Sequence, residues 1–332
     1  MDERETEALM GTVAIGSMIS IVSVLFLVTS AFLLGKWRKS YWRVILCLAF
    51  SDLTVSCSFV AGALPVFLWL EPLSEVPCNI QGALVQFGGS GTVYYALVIA
   101  FVLYMQVVRG TKITRRMEVA IHLIWLPPTF LLALLPLDNP GGIHYDNSVG
   151  WCWIAENPKY ARFIWYYMWV WFVIAAIIGL YYAIFSHMRR GAQQVKFARL
   201  TEIASGSVYS QQAKSSQRLL LYPLAFIIFW IPATTNRILE ATGHSVFAVT
   251  YLECFFVPLQ GITNTLIYLF TSQAHKDIYR GMRRQPRHGD LATEGRDSPG
   301  LGRGVRASPP TWGEEKQPLM SSPHSINNPT LN

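Results

Sequence analysis

Asp52, in the run Leu48-Ala49-Phe50-Ser51-Asp52, falls near the middle of a long apolar stretch. An acid at bilayer depth costs about 2.5–3.5 kcal/mol on insertion scales, so it is expected to face neighbouring helices and find a polar partner there. Asn264, in Gly261-Ile262-Thr263-Asn264-Thr265-Leu266-Ile267-Tyr268, lies at matching depth in a later apolar stretch running the other way. The two suit a polar switch with Tyr268 close by; the plainer alternative is a hydrogen bond that only holds two helices together. A second group gathers around Phe226-x-x-x-Trp230-x-Pro232. Pro232 removes a backbone bond and bends its helix, and Trp230 gives the bend a bulky lever, although membrane helices also carry proline kinks with no further role. Asn236, Arg237 and Glu240 follow, Arg237 lying two turns, about 10 Å, beyond Trp230 on a similar face.

Glu253 lies three turns from Asn264 on the same face, so it should look inward at the level of Arg237. Gln86, Arg162, Tyr166 and Tyr167 would complete a polar pocket with aromatic walls, and Arg237 suits an anionic group on whatever enters it. The alternative is that Arg237 and Glu253 pair with each other or reach for the membrane interface. None of this is a hydrolytic or redox constellation, and no enzyme is expected. The seven histidines are scattered, with only His122 well inside an apolar stretch, so no metal is expected. There is no glycine-rich phosphate loop, the last apolar stretch has no lysine for a retinal Schiff base, and no cofactor is expected.

The elements that must position these residues are helices in lipid. Of 332 residues 52% are hydrophobic and only 14% charged, against about a quarter charged in a soluble chain. Seven stretches, at about 10–35, 42–70, 78–108, 117–137, 161–186, 218–242 and 248–271, are long enough to span a bilayer, which takes about 20 residues. The third carries Gly88, Gly89, Ser90, Gly91 and Thr92 in its middle, which suits a central helix packed closely by its neighbours. Basic residues alternate between connections: Lys36, Arg38, Lys39 and Arg43 after the first span; Arg109, Lys112, Arg115 and Arg116 after the third; Arg189, Arg190, Lys196, Arg199, Lys214 and Arg218 after the fifth. The other connections are acidic or neutral, so the N-terminus is expected outside and the C-terminus inside. Met1-Asp2-Glu3-Arg4-Glu5 lacks a basic leader, so the first span reads as a retained anchor. Basic residues falling between apolar spans give no module for nucleic acid, and the bilayer is the expected surroundings.

Cys78 and Cys152 are the two cysteines within reach of the outside, where disulfides survive, and their location favours a bond over two free thiols. Trp151 and Trp153 flank Cys152 and suit either a functional contact or the interfacial aromatic belt. Cys47, Cys57 and Cys254 fall inside spans as small buried residues. Residues 1–9 are expected as an extracellular N-terminus and 10–272 as the transmembrane domain. The run 273–284, with Ala274, Ile278 and Met282 on one face, is expected as a short amphipathic helix on the membrane surface. From Gln285 the composition is that of a disordered tail.

Taken together, Asp52 in Leu-Ala-x-x-Asp, the Cys78 and Cys152 pair, Phe226-x-x-x-Trp230-x-Pro232 and Asn264-x-x-x-Tyr268 resemble the seven-helix G-protein-coupled receptors. The rhodopsin-like pattern is incomplete. Val102-Leu103-Tyr104 stands where that class has Asp-Arg-Tyr, and Thr265 stands where it has proline. Tyr145 to Ile154, ending in Ser-Val-Gly-Trp-Cys-Trp-Ile, is similar to the second extracellular loop of an animal orphan member of the slime-mould cyclic-AMP-receptor-like (class E) group. The helix-two run Leu48 to Asp52 and the end of helix three, Leu103-Tyr104 to Val108-Arg109, are similar to the same group. The resemblance covers roughly residues 10–284. It implies an all-α seven-transmembrane bundle with an eighth amphipathic helix. It also implies a receptor that passes an extracellular signal, from an unknown ligand, to a heterotrimeric G protein by movement of helix six. Arg109, Lys112, Arg189, Arg190 and Arg218 would face that partner. Tail residues such as Ser298, Ser308 and Thr311 are candidate phosphorylation sites for arrestin. The plasma membrane is the expected location, and the residues name no sub-region such as the ciliary membrane. The runner-up is a seven-helix transporter or ion-coupled protein using Asp52.

Overall fold

Apolar runs of 20 to 30 residues can satisfy their backbone in lipid only as helices, and the computed structural model is built of them. It describes residues 3–69, 73–138, 140–147, 151–158, 160–200, 221–244 and 246–272. The expected surface helix, the tail and Arg218 lie outside these. Helices α1 (Glu3–Leu33), α2 (Ser40–Trp69), α3 (Glu75–Val107), α4 (Arg115–Leu134), α5 (Met168–Leu200) and α6 (Leu221–Ala241) each form one rod. The seventh rod is α7 (Phe247–Phe256), a 3-10 turn (Val257–Leu259) and α8 (Gln260–Ser272). The turn falls at Pro258, which has no N–H to give the helical ladder. α1 to α5 are long and apolar enough to cross a membrane. α6 is less oily because its last turns carry Asn236, Arg237 and Glu240, and the seventh rod is divided by its turn. α1 starts at Glu3, inside the stretch read as an N-terminal segment.

The expectation of an all-α chain is corrected in one place. Between α4 and α5, β1 (Tyr145–Asn147) and β2 (Cys152–Ile154) pair antiparallel, with Tyr145 opposite Ile154 and Asn147 opposite Cys152. Three-residue strands give too short an alternation to be read from sequence. The hairpin sits against α3 and is anchored there three times. Cys78 is disulfide-bonded to Cys152. One turn along, the Gln81 side chain accepts from Cys152 N at 2.9 Å and donates to Ser58 O of α2 at 2.8 Å. Gly82 leaves room for the ring of Tyr145, whose hydroxyl donates to Ala133 O at 2.8 Å.

α3 runs through the centre and feeds two cores. Near the hairpin, Val85 and Ala96 pack with Phe59, Trp153, Tyr166, Phe226 and Trp230. Toward the opposite end, Ile99 and Leu103 pack with Trp42, Ile45, Leu48, Tyr222 and Tyr268. α2 comes close enough to α3 that a Cβ on Gly91 would collide with Ser51, and one on Gly88 with Val55. The small residues in the middle of α3 are therefore the seam of the bundle. Cys254 is buried, but Cys57 is exposed on the bundle's outer face, contrary to the expectation that all three unpaired cysteines are buried.

Candidate functional site

Arg237, near the hairpin end of α6, is the hub of an ionic cluster drawn from four elements. Its Nη2 donates to both carboxylate oxygens of Glu253, on α7, at 3.1 and 2.9 Å, and its Nη1 pairs with Glu240 one turn along its own helix. Asn236 Nδ2 donates to Glu253 at 2.6 Å, and Thr250 Oγ1 donates to the Asn236 side-chain oxygen at 3.3 Å. Arg162, just before α5, reaches Glu240 and Glu156 at 3.4 Å each, while its Nε donates to Ile154 O of the hairpin at 2.7 Å. Of the two readings open in the sequence, a pocket lined by Arg237 and Glu253 or a pair between them, the geometry is the pair. Glu253 is 3% exposed and Arg162 6%, and at such depth charges persist only when matched in this way.

Trp153 fills the space beneath the two arginines. Its indole lies 5.7 Å from the Arg162 guanidinium and 6.0 Å from that of Arg237, within cation–π range of both. Its Nε1 donates to Gln86 Oε1 at 2.9 Å, and its edge meets Tyr166 and Tyr167 at 5.2 and 5.9 Å between ring centres. Gln86, expected to complete a polar pocket with aromatic walls, is fully buried and bonds to the hairpin and to Trp165 O, to which it donates at 3.1 Å. Tyr166 and Tyr167 are consecutive yet both buried. The segment Phe163–Tyr167 is a π-helix, whose wider turn brings neighbouring side chains inward together. Both rings then pack against Trp230, that of Tyr166 tilted at 5.6 Å and that of Tyr167 edge-on at 6.2 Å.

Below Trp153 the bundle keeps a narrow cavity of about 50 Å³, bordered by Glu253, Tyr166, Tyr167 and Trp230 and reaching down to Thr92 and Asp52. That is room for a few waters. At its foot Asp52 accepts from Asn264 Nδ2 at 2.7 Å and from Thr92 Oγ1 at 3.0 Å, tying α2, α8 and α3 together. Tyr268 is not a third member of this knot. Its hydroxyl accepts from Ser30 of α1 at 3.0 Å and its ring stands edge-on to Trp42 at 5.2 Å, one turn beyond Asn264 toward the opposite end.

At that opposite end Arg109, Lys112, Arg189 and Arg190 are all exposed, Arg189 lying over the ring of Phe185 at 4.3 Å. Arg43, counted in the sequence only as one more basic connection, is engaged. It forms a two-pronged pair with Glu118 of α4 at 2.5 and 2.6 Å and closes the first connection through Trp37 O and Arg38 O. Apart from one acid placed just inside a span, the sequence held no signal for this.

Comparison with known proteins bears on the fold and the family. The chain is 29% identical over 262 residues to G-protein coupled receptor 157 of Rattus norvegicus, covering 76% of this chain and 77% of that one. It is 21% identical over 252 residues to Cyclic AMP receptor 2 of Dictyostelium discoideum, covering 73% and 63%. The fold is that of squid rhodopsin, with a TM-score of 0.69 at 15% identity over 87% of this chain and 89% of that one. The family described as 7 transmembrane receptor (rhodopsin family) matches residues 22–272, from the middle of α1 to the last residue of α8. With seven rods, a strapped hairpin at one end and a family match running from the first rod to the last, the chain belongs to the seven-transmembrane receptors of the rhodopsin family.

Proposed function

We propose that the chain is a receptor that carries an extracellular signal to a heterotrimeric G protein, with the hairpin end outside and the basic end facing the partner. The observation that carries this reading is the ionic cluster. It binds the hairpin, α5, α6 and α7 at one point, two turns above Trp230, so a change at the hairpin reaches the bend in helix six at Pro232 through a few contacts. A ligand shifts the resting balance only by its different affinity for two arrangements, and here it would do so by displacing or tightening Trp153 and its two arginines. Alternation of Lys and Arg between connections supports the N-terminus outside and the C-terminus inside. Arg109, Lys112, Arg189 and Arg190 then line the G-protein side. The plasma membrane is the compartment this reading requires.

One observation favours the ion-coupled alternative: a single cavity borders both Glu253 and Asp52. The deciding measurement is a Gα-dissociation panel in cells with no ligand added, alongside Asp52→Asn. Basal dissociation of one Gα class, altered by Asp52→Asn at matched surface level, supports the receptor. Silence across the panel, with ion or solute flux that Asp52→Asn abolishes, supports the transporter and sinks the receptor reading.

A further inference from the structure

A second hollow opens sideways, at the hairpin end between α1 and the seventh rod. The two rods run side by side in one direction, and their contacts loosen toward that end. Nearer the basic end, Thr265 Oγ1 donates to Ser23 O at 3.1 Å, and a Cβ on Gly261 would collide with Ser20. Farther up, a Cβ on Gly16 would press on Pro258, and beyond that the hydroxyls of Thr12 and Tyr251 meet at only 3.4 Å. The face of α1 turned to this gap is small where the gap is widest. Ala8, Gly11 and Thr12 follow at helical spacing, and bulk returns only with Ile15 and Ile19. With Phe255 and Leu259 opposite, about 560 Å³ is left. Ile15 and Ile19 expose 58% and 51% of their surface, which on a helix that crosses a membrane is exposure to lipid. The polar groups at the mouth are accessible. Arg4 and Glu7, one turn apart at the start of α1, are exposed, line the hollow and make no ion pair among the described residues. Tyr251, across the gap, is 37% exposed, and the ring of Phe247 lies 6.1 Å from its own.

We propose that this hollow binds a zwitterionic lipid with a phosphocholine head. The phosphate pairs with Arg4, the quaternary ammonium with Glu7 against the rings of Tyr251 and Phe247, and one acyl chain lies along Ile15 and Ile19. One free charge of each sign at the mouth is the complement of a head that carries both, and aromatic faces hold quaternary ammonium groups. A purely anionic head would be repelled by Glu7, and a purely cationic one by Arg4. The depth agrees. Glu7 to Ile19 is twelve residues, about 18 Å along α1, and one leaflet's share of the hydrocarbon core is about 15 Å. A head beside Glu7 therefore lies at headgroup level, with its chain reaching the midplane near Ile19. The binding needs no G protein and stands apart from the receptor reading.

The test is native mass spectrometry of the full chain in detergent, titrated with three palmitoyl probes: lysophosphatidylcholine, lysophosphatidic acid and monoacylglycerol. Wild type is expected to hold one lysophosphatidylcholine about threefold or more tighter than either of the others. Arg4→Gln is expected to weaken it about three- to fivefold, what one exposed ion pair is worth at most. Glu7→Gln is expected to weaken lysophosphatidylcholine by a similar factor and to tighten lysophosphatidic acid, opposite shifts that misfolding does not produce. Ala8→Phe, at an exposed position, fills the mouth and is expected to remove the binding with the thermal midpoint unchanged. Equal binding of all three probes, a Glu7→Gln variant in which both phospholipids shift together, or binding that Ala8→Phe leaves intact means ordinary lipid contact and overturns the site.

Discussion

Trp153→Ala tests whether the hairpin occupies the place of a ligand. The side chain is 5% exposed, touches Tyr166 and Tyr167, and lies under two guanidiniums. Truncating a buried tryptophan costs about 3–5 kcal/mol. Gln86 Oε1 loses the indole donor as well, and a buried acceptor left bare costs about 1–3 kcal/mol, so the loss should sit at the upper end of the truncation range. Trp153→Phe keeps part of the packing, loses the hydrogen bond and weakens the cation–π contacts, for about 2–3 kcal/mol. The space left by Trp153→Ala has the shape of indole, with Gln86 and both arginines waiting at its edges. Added indole at a hundredfold its Kd should restore about 2.7 kcal/mol. The assay is the thermal midpoint of detergent-solubilised receptor by gel filtration of a fluorescent fusion, with and without indole. Rescue of the Ala variant, weak rescue of the Phe variant and none of wild type is the expected order. Equal shifts in all three, or none in the Ala variant, would refute the view that Trp153 sits in a preformed ligand site.

Three further outcomes follow from the same contacts. Arg237→Met strands the buried Glu253 and should lower stability by about 3–5 kcal/mol, while adding Glu253→Gln should recover most of that loss; a double variant no more stable than Arg237→Met alone would deny the coupling. Removing Cys78 and Cys152 together opens a tie of sequence separation 74, worth about 4 kcal/mol on the chain-entropy account, and should match the effect of reductant on wild type in the same melting assay. Gly91→Ala should reduce surface expression by forcing α2 from α3, and Ser51→Gly should restore it, since the added methyl meets the Ser51 side chain; failure of that rescue would place the strain elsewhere.

The helices were legible because lipid admits little else. Runs of apolar residues fixed the rods to within a few residues at most ends, and an acid as costly as Asp52 pointed to Asn264 across the bundle. Two kinds of feature were not legible. The first is local backbone irregularity: the π-helix at Phe163–Tyr167 and the hairpin at Tyr145–Ile154 leave no period to read, yet they decide that Tyr166, Tyr167 and Trp153 all point inward. The second is the choice among partners. Spacing placed Arg237, Glu253, Gln86 and Arg162 at one level, which is equally consistent with an open pocket and a closed cluster. The closed form is adopted because Glu253 and Arg162 are 3% and 6% exposed, and a charge so deeply buried is held by its nearest opposite. Thr92 and Glu118 went unread for a related reason: each matters only through a residue on another helix.

The position of these charges bears on how helix six would move. In α6 the ion pairs lie beyond Pro232, toward the hairpin, where Arg237 and Glu240 hold it to α5 and α7. On the other side of Pro232 the described core residues of α6 are Tyr222, Phe226 and Trp230, packed in the two apolar clusters. Among the described residues the charged tie at the far end, Arg43 with Glu118, joins α2 to α4. The end of α3 offers Val102 and Leu103, both buried and apolar, where an ionic contact to helix six would begin in the rhodopsin-like pattern. Among the described residues, Pro232 therefore divides α6 into a limb toward the hairpin that carries ion pairs and a limb toward the basic end whose core residues sit in apolar clusters. Packing of that kind can be exchanged for other packing as the limb swings, whereas an ion pair in a dry site must be either kept or broken. If helix six moves as proposed, the ion pairs under the hairpin are the contacts that must rearrange first.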